Sequence, residues 1–105
     1  MALQWTIEAI EDLQEVSRFL AGAGAEKWRL QEVNRAILTK AKWISTRPKL
    51  GSPVEDTKFR VTYALDFRYG IYYQELRSNL IRVLAIRHTS QERPTADELA
   101  AREQS

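Results

Sequence analysis

The stretch LIRVLAIRHTSQ (residues 80–91) combines the most hydrophobic segment of the chain with side chains that can bind charge or transfer a proton. Arg82, Arg87 and His88, the only histidine, lie here among leucine, isoleucine, valine and alanine residues. An imidazole exchanges a proton near neutral pH, and arginines stabilise the negative charge of a phosphate. One interpretation is therefore an acid–base and phosphate-binding site. The alternative is a histidine at the end of a strand that is hydrogen-bonded to backbone.

Composition excludes most other chemistry. The chain has 105 residues and no cysteine, so we expect one domain at residues 1–94, a short helical or disordered tail at residues 95–105, and neither disulfides nor cysteine-bound zinc. A single histidine excludes a multi-histidine metal site, and we expect no metal and no cofactor. No apolar run approaches the roughly 20 residues of a membrane span, and no signal sequence is evident. We therefore expect a cytoplasmic protein without a membrane partner.

The charged residues are distributed unevenly along the chain. Residues 58–88 contain six lysines and arginines but only two acidic residues, whereas acidic residues gather in the first helical segment. A basic half of this kind suits an acidic protein segment or a phosphate backbone, although solvated arginines on strands are the plain alternative.

The first half of the chain predicts a strand and two helices. Ala2 to Trp5 suits a short strand, and Thr6 is a plausible N-cap for a helix at residues 7–21. The sequence AGAGA (residues 21–25) predicts a tight reversal into a second helix at residues 25–45, so the helices should form an antiparallel hairpin. Apolar residues recur at helical spacing in both. We place these in the core: Ile10, Leu13, Val16, Leu20, Leu30, Val33, Ile37, Ala41, Ile44, Leu38 and the tryptophans Trp28 and Trp43.

The second half predicts an antiparallel meander. Residues 46–56 contain Pro48, Gly51 and Pro53, which interrupt regular structure. Three runs of period two follow at residues 58–63, 69–74 and 80–88, with a turn at residues 77–79 between the last two. Thr95 and Glu98 form a capping box for a tail helix of about eight residues, which has only Leu99 as a large apolar anchor and should fray without a partner.

Strict alternation predicts which strand residues share a face of the sheet. Phe59, Val61 and Tyr63 should join Tyr69, Ile71 and Tyr73 beneath the helix hairpin, together with Ile81, Val83 and Ala85. The opposite face should be open, because one helix pair covers only one side. An exposed apolar stripe framed by charge is typical of a protein-binding surface. That face carries Tyr72, Leu80, Arg82, Leu84, Ile86 and His88.

The order and local motifs of these segments resemble the RelE/ParE superfamily of bacterial toxin–antitoxin systems. Residues 8–20 (EAIEDLQEVSRFL) are similar to the family's first helix, and residues 47–53 (RPKLGSP) resemble its P-x-L-G-x-P loop. Residues 69–74 (YGIYYQ) resemble its aromatic strand, and residues 81–91 its closing strand with a His-x-x-Gln end. The resemblance implies an α+β fold of order β-α-α-β-β-β, with a helix hairpin packed on one face of a small, mainly antiparallel sheet and a short C-terminal helix.

Two activities occur in this superfamily. RelE-like members cleave messenger RNA in the ribosome, and for that activity the resemblance implies His88, Arg60 and Arg82 as catalytic residues. The C-terminal tyrosine that those nucleases often carry has no counterpart here. ParE-like members, which the loop and the strand end resemble more, bind DNA gyrase and stall it with broken DNA. We therefore expect a gyrase-inhibiting toxin that is not an enzyme, with a ribosome-dependent endoribonuclease as the alternative.

The resemblance also implies two binding surfaces. The target should contact the cationic strand end and the residues that follow it, a set comprising Lys58, Arg60, Arg82, Arg87, His88 and Gln91. The cognate antitoxin should be a ParD-like ribbon-helix-helix protein whose disordered tail folds on this chain in a heteromeric complex. This tail should bind in the groove beside the helix hairpin and on the open sheet face. The expected antitoxin-binding residues are Leu80, Arg82, Leu84, Ile86 and Tyr72.

Overall fold

A computed structural model describes residues 2–77 and 80–104 of the chain. In this part, five strands form one sheet of order β1-β5-β4-β3-β2, and α-helices cover both of its faces. The elements are β1 (Ala2–Trp5), α1 (Ile7–Gly22), α2 (Lys27–Ser45), β2 (Ser52–Pro53), β3 (Arg60–Ala64), β4 (Tyr69–Arg77), β5 (Leu80–His88) and α3 (Ala96–Glu103). β1 pairs in parallel with β5, and the other pairs are antiparallel. The predicted fold class and element order are confirmed, with the two-residue β2 as an addition. The turn predicted at residues 77–79 lies partly outside the described residues.

The helix hairpin begins and reverses where local signals place it. The Thr6 hydroxyl accepts a hydrogen bond of 3.1 Å from the Ala9 amide, which satisfies a free donor in the first turn of α1. Gly24 has a φ of 87°, a left-handed conformation that a glycine adopts without strain. The two helices then pack on one face of the sheet through a narrow strip of fully buried side chains: Ala9, Val33, Ile37, Ala41 and Ile44.

The prediction that Ile10, Leu38 and the helix tryptophans belong to the core is wrong. Trp28 is 59% exposed and Ile10 is 44% exposed, while Leu38 and Trp43 are also exposed. The small sheet offers the helices only a narrow strip of contact, so apolar residues on the flanks of each helix have no strand beneath them. Trp43 instead lies under the ammonium group of Lys40, with Nζ 4.2 Å from the ring centroid.

The prediction of which β3 side chains lie beneath the hairpin is also wrong. In the observed register, each odd-numbered residue of β3 pairs with an even-numbered residue of β4. Val61 lies opposite Tyr72, and Arg60 lies opposite Tyr73. Directly paired residues point to the same face of a sheet. Phe59 and Val61 therefore lie with Tyr72 on the face opposite the hairpin, in one buried cluster.

A β-bulge at Leu84 shifts the alternation along β5. Tyr72 pairs with Ala85 and Tyr73 pairs with Val83, so Leu84 is an extra residue between them. One extra residue turns every following side chain to the other face. Ile86, predicted on the open face, therefore packs beneath the hairpin in the same cluster as Val83.

The face opposite the hairpin is not open, because α3 packs against it. Leu99 is fully buried in a cluster with Phe59, Tyr72 and Leu84, and Leu84 itself is 0% exposed. Arg102 of α3 donates to Asp12 Oδ2 of α1 at 2.6 Å. The expectation that the tail helix frays without a partner is therefore wrong. Its additional anchors come from residues far away in the sequence, which a view of the tail alone cannot include.

The loop at residues 47–53 lies directly against the sheet, held by hydrogen bonds to its backbone. The Tyr73 hydroxyl donates a 2.6 Å hydrogen bond to the Pro48 carbonyl, and Arg60 donates a 2.7 Å hydrogen bond to the Gly51 carbonyl. A Cβ on residue 51 would overlap the Tyr73 hydroxyl. Glycine is thus required at this position so that the loop can lie against the sheet.

Candidate functional site

A groove runs between α1 and the second half of β5. β1 pairs only with Leu80 to Val83, so beyond Val83 the outer edge of β5 has no strand neighbour in residues 2–77 and 80–104. Side chains occupy this edge instead. Asp12 accepts from the Ile86 amide at 3.0 Å, and Gln91 Oε1 accepts from the His88 amide at 2.9 Å. Unpaired strand edges bind extended peptides readily. Here the side chains of Asp12 and Gln91 already accept the hydrogen bonds of two edge amides.

The groove has the character of a peptide-binding site. Its volume is about 670 Å³, and Val16, Tyr69 and Ile86 contribute apolar surface to it. Phe19 also lines it and is 72% exposed, which is unusual for a large aromatic side chain. Charged side chains that line it include Glu15, Arg18 and Glu92. Apolar surface framed by charge suits an amphipathic helix or an added strand.

His88 sits at the end of β5 as a strand-end histidine bound to backbone. Its Nδ1 accepts a 3.0 Å hydrogen bond from the Ser90 amide, and its ring meets the Tyr69 ring edge-on at 5.0 Å. Because Nδ1 is an acceptor, the proton of the neutral imidazole lies on Nε2. The Gln91 amide donates to the His88 carbonyl at 2.9 Å, so the His-x-x-Gln end closes a turn after the strand.

The candidate catalytic residues are not brought together. Arg60 points to the hairpin face and bonds the Gly51 carbonyl. Arg82 points to the α3 face, where it donates to Gln4 Oε1 and to the Glu103 carbonyl, each at 3.2 Å. His88 follows Arg82 by six positions along β5, which corresponds to about 20 Å in an extended strand.

The other two cations predicted to bind the target, Lys58 and Arg87, form ion pairs with acids of α3. Lys58 forms an ion pair of 2.6 Å with Glu103, and Arg87 forms one of 2.5 Å with Glu98. These residues do not form one free basic patch, since each neutralises an acid of the C-terminal helix.

The predicted antitoxin-binding residues are mostly covered. Tyr72, Leu80 and Leu84 are buried on the α3 face, and Arg82 is partly buried there. Their expected exposure is wrong for the physical reason given above, namely that α3 covers this face. Ile86 is also buried, at 3% exposure, but beneath the helix hairpin rather than beneath α3, and it lines the groove from there. A role of these five residues in antitoxin binding stays a prediction.

Sequence reasoning missed the pair formed by Asp12 and Arg102. Besides Asp12, Arg102 Nη1 bonds the Leu84 carbonyl at 3.0 Å, so α1, the bulge and α3 meet at one point. Burial acts to lower the pKa of Arg102, but the bond to Asp12 and the surrounding carboxylates raise it overall, and the guanidinium stays charged. A signal for Asp12 was present. It follows Ala9 by three residues and precedes Val16 by four, which places an acid on the buried stripe of α1.

Residues 2–77 and 80–104 contain neither a metal-binding cluster nor a membrane-spanning helix. No group of three or more histidine, cysteine, aspartate or glutamate side chains in these residues is arranged to hold a metal ion. Within the same residues, no helix combines the length and apolar character needed to cross a bilayer.

Comparisons with known proteins agree with the fold. A solved chain from the "Chromosomal ParDE TA system from P. aeruginosa" superposes with a TM-score of 0.73, covering 84% of this chain and 95% of that chain at 18% sequence identity. A search of curated proteins gave no significant match. The family model described as "ParE toxin of type II toxin-antitoxin system, parDE" matches residues 3–93. This match spans nearly the whole chain, including the helix hairpin and the sheet, and the chain therefore belongs to the ParE toxin family of type II toxin–antitoxin systems.

Proposed function

We propose that this toxin acts in the cytoplasm by binding and inhibiting DNA gyrase, and that it catalyses no reaction of its own. Its family membership makes it the toxin of a type II toxin–antitoxin system with an antitoxin partner. The observation that supports binding rather than catalysis is the separation of Arg60, Arg82 and His88 over two faces and along the length of the sheet.

Cleavage of RNA has strict geometric needs. A base must reach the ribose 2′-hydroxyl, an acid must reach the leaving oxygen, and cations must surround the same phosphate, each within about 3 Å. Arg60 and Arg82 point to opposite faces and so do not reach a shared phosphate without rearrangement of the sheet. A protein that works through its surface needs no such convergence.

The test compares two activities of the same purified toxin. We expect inhibition of DNA supercoiling by purified gyrase, and no new transcript ends by primer extension in cells that produce the toxin. The variant His88→Ala should likewise give no new transcript ends, and a loss of gyrase inhibition in this variant would indicate that the strand end contacts the target. Codon-phased transcript ends that disappear in His88→Ala, without any effect on gyrase, would replace this proposal with a ribonuclease.

For the antitoxin, a ParD-like protein of the ribbon-helix-helix type is the proposed partner, with its tail in the groove between α1 and β5. The exposed ring of Phe19 and the apolar side chains that line the groove support this place. Phe19→Ala should weaken antitoxin binding by about 1–3 kcal/mol, as for an interface hot spot. Titration calorimetry with the antitoxin encoded beside the toxin measures the affinity.

Two further variants decide between the groove and the α3 face. Trp28→Ala removes another exposed aromatic side chain of the hairpin, outside the groove, and should leave the affinity unchanged. Arg82→Gln alters the α3 face. If Arg82→Gln weakens binding while Phe19→Ala does not, the antitoxin uses the α3 face, which requires it to displace the C-terminal helix.

A further inference from the structure

The end of the sheet where the β3–β4 turn meets the last residues of β5 contains a second, smaller cavity. Its volume is about 60 Å³, enough for one small polyatomic group and too little for a nucleotide. Phenol, guanidinium and hydroxyl groups surround it, so its lining is polar. Lining residues include Tyr63, Tyr72, Arg87, Thr89 and Arg93.

Tyr72 is among the residues that line this cavity. The residue is only 4% exposed, and its hydroxyl makes no hydrogen bond with any residue in the described ranges 2–77 and 80–104. Burial is the main reason that the pKa of Tyr72 is raised, with Tyr63 adding to the effect and Arg93 and Arg87 opposing it. The phenol is therefore a hydrogen-bond donor at neutral pH. A ligand that brings an acceptor oxygen into the cavity can therefore accept a hydrogen bond from this phenol.

Gly70 makes room for the two tyrosines. It lies beneath both rings, and a Cβ at this position would stand 3.0 Å from Tyr72 Cε1 and 3.4 Å from Tyr63 Cε1. Contacts that short would push the Tyr72 ring aside. The absence of a side chain at residue 70 thus allows Tyr63 and Tyr72 to stand side by side at the cavity.

The neighbouring β3–β4 turn is strained and presents an aromatic ring to solvent. Leu65, Asp66 and Phe67 have φ values of 54°, 53° and 68°, which are left-handed conformations in three consecutive residues that are not glycine. Hairpin turns with positive φ at both central positions normally use asparagine, aspartate or glycine, whereas a phenylalanine stands here. Phe67 is 73% exposed, and its ring centroid is 5.6 Å from that of Tyr63. Strain of this kind persists chiefly at functional sites.

Two cations at this end of the molecule have no acidic partner. Arg68 follows the turn directly and Arg93 lines the cavity; both are exposed, and neither forms an ion pair within the described part of the chain. They differ in this from Lys58 and Arg87, which neutralise acids of α3. Asp66 in the turn and Glu92 beside Arg93 are the acids nearest in the sequence, and neither forms an ion pair with these arginines in the described part of the chain.

We infer that this end of the sheet binds single-stranded nucleic acid, with one phosphate held by Tyr72, Tyr63 and Arg93 and an adjacent base stacked on Phe67. A basic groove beside an exposed aromatic ring is the usual arrangement for binding single strands, because every unstacked base offers a π-face. A duplex hides those faces. Single-stranded DNA and single-stranded RNA both offer a phosphodiester beside an unstacked base, and either could be the ligand.

The inference goes beyond the proposed inhibition of gyrase and does not rest on it, since binding is measured with the toxin alone. The experiment is fluorescence anisotropy with labelled oligo(dT) and oligo(U) of about ten nucleotides, with a duplex of equal length for comparison, across a series of salt concentrations. We expect both single strands to bind more tightly than the duplex. A preference for one of them identifies the source of the ligand.

Three variants dissect the site. Phe67→Asn keeps a residue that tolerates the left-handed conformation but removes the ring, and it should weaken binding about tenfold. Arg93→Gln should weaken binding and reduce the slope of log Kd against log salt by about one, as expected when one phosphate contact is lost. Tyr72→Phe removes only the hydroxyl and should weaken binding several-fold. Arg77→Gln, which removes an exposed cation from the opposite end of β4, is the matched control and should have little effect.

Several outcomes overturn the inference. They are the absence of single-strand binding at low salt, tighter binding of the duplex, or an equal effect of Arg77→Gln and Arg93→Gln. Displacement of the oligonucleotide by polyglutamate, with Phe67→Asn binding as the parent does, would identify a surface for an acidic protein instead. Amide chemical-shift mapping on the unaltered toxin provides a test without variants, in which the shifts should centre on residues 63–72 and 87–93.

Discussion

The two faces of the sheet are covered by very different amounts of helix. The hairpin face lies beneath α1 and α2, which have 16 and 19 residues and bury a continuous apolar strip. The opposite face lies beneath α3, which has eight residues and contributes one buried apolar side chain, Leu99. Polar contacts hold the rest of α3, among them the ion pairs of Glu98 and Glu103 and the bonds of Arg102.

This difference separates two kinds of stabilisation. Apolar burial contributes in proportion to the area removed from water and requires little direction. A short helix cannot bury enough apolar area to hold itself in place, so directed contacts to distant residues must position it. We therefore expect the hairpin face to govern the stability of the whole fold, and the α3 face to respond to changes in single polar groups.

The largest effect should come from the core of the hairpin face. Ile37→Ala removes a fully buried side chain and should lower the free energy of unfolding by about 2–5 kcal/mol, because it loses apolar burial and leaves a cavity. Urea denaturation followed by circular dichroism measures this change. The matched control is Leu38→Ala on the same helix, which is exposed and should cost about 0.5 kcal/mol or less. Equal losses of unfolding free energy in the two variants would contradict the claim that the hairpin face governs the stability of the fold.

The next effect concerns the single apolar anchor of α3. Leu99→Ala should cost about 2 kcal/mol, at the lower end for a buried leucine, because α3 can detach while the sheet stays folded. Amide hydrogen exchange should show protection lost at residues 96–103 and kept in β3, β4 and β5. Ala100→Ser, on the exposed side of the same helix, should leave protection intact. If the sheet loses protection together with α3, the two faces form one cooperative unit.

A smaller effect is expected from the pair that joins α3 to α1. Asp12 and Arg102 have side chains only 20% and 16% exposed, so their interaction is screened less than a surface pair. A double-mutant cycle with Asp12→Asn and Arg102→Gln should give a coupling of about 1 kcal/mol. The exposed pair Glu15–Arg18, with side chains 66% and 65% exposed, is the control and should couple by less than about 0.5 kcal/mol. Similar coupling in both pairs would show that burial of the first pair has no energetic consequence.

The smallest effect should appear as a dependence of α3 docking on pH. Hydrogen bonds from Lys58, and then from Gln74, lower the pKa of Glu103. A carboxyl group whose pKa is lowered in the folded state stabilises it above the ordinary glutamate pKa of about 4.3, and this contribution is lost as the pH falls through the lowered value. Hydrogen exchange in α3 should therefore quicken, after correction for intrinsic rates, as the pH falls below about 4. Glu103→Gln should remove this component, and an unchanged pH dependence in that variant would assign it to another acid.

The helices and the family could be predicted from local patterns. Thr6 and Thr95 cap α1 and α3 as expected, since a capping hydroxyl acts on amides only two or three residues away. Gly24 ends the first helix for a similarly local reason, the left-handed conformation of one residue. Patterns that depend on neighbouring residues can be recognised without knowledge of the rest of the fold.

The faces of the sheet could not be predicted from alternation. Both faces are buried, so apolar residues on β4 and β5 do not distinguish one side from the other. The bulge at Leu84 adds one residue, and its position depends on how β5 pairs with β4 rather than on the sequence of β5 alone. Ile86 was assigned to the wrong face for this reason.

The candidate sites also contain features that the local sequence predicts and features that it does not. His88 and Gln91 are neighbours in the sequence, and their turn could be anticipated as a strand end bound to backbone. The bond between Asp12 and Arg102 beside the groove could not be anticipated, since these residues are 90 positions apart in the sequence. The small cavity beside Tyr72 requires the register of β3 and β4 and the absence of a side chain on Gly70.

The sequence by itself determined the order of the elements, their approximate limits, the chain reversal at Gly24 and membership of the ParE family, because hydrophobic period, caps and turn residues act over a few positions. Only the tertiary structure decided which side chains share a face and that α3 covers the face expected to be open. Those outcomes depend on strand register, on one inserted residue and on contacts between segments far apart in the chain. Such features reflect the packing of the whole molecule, and no local segment contains them.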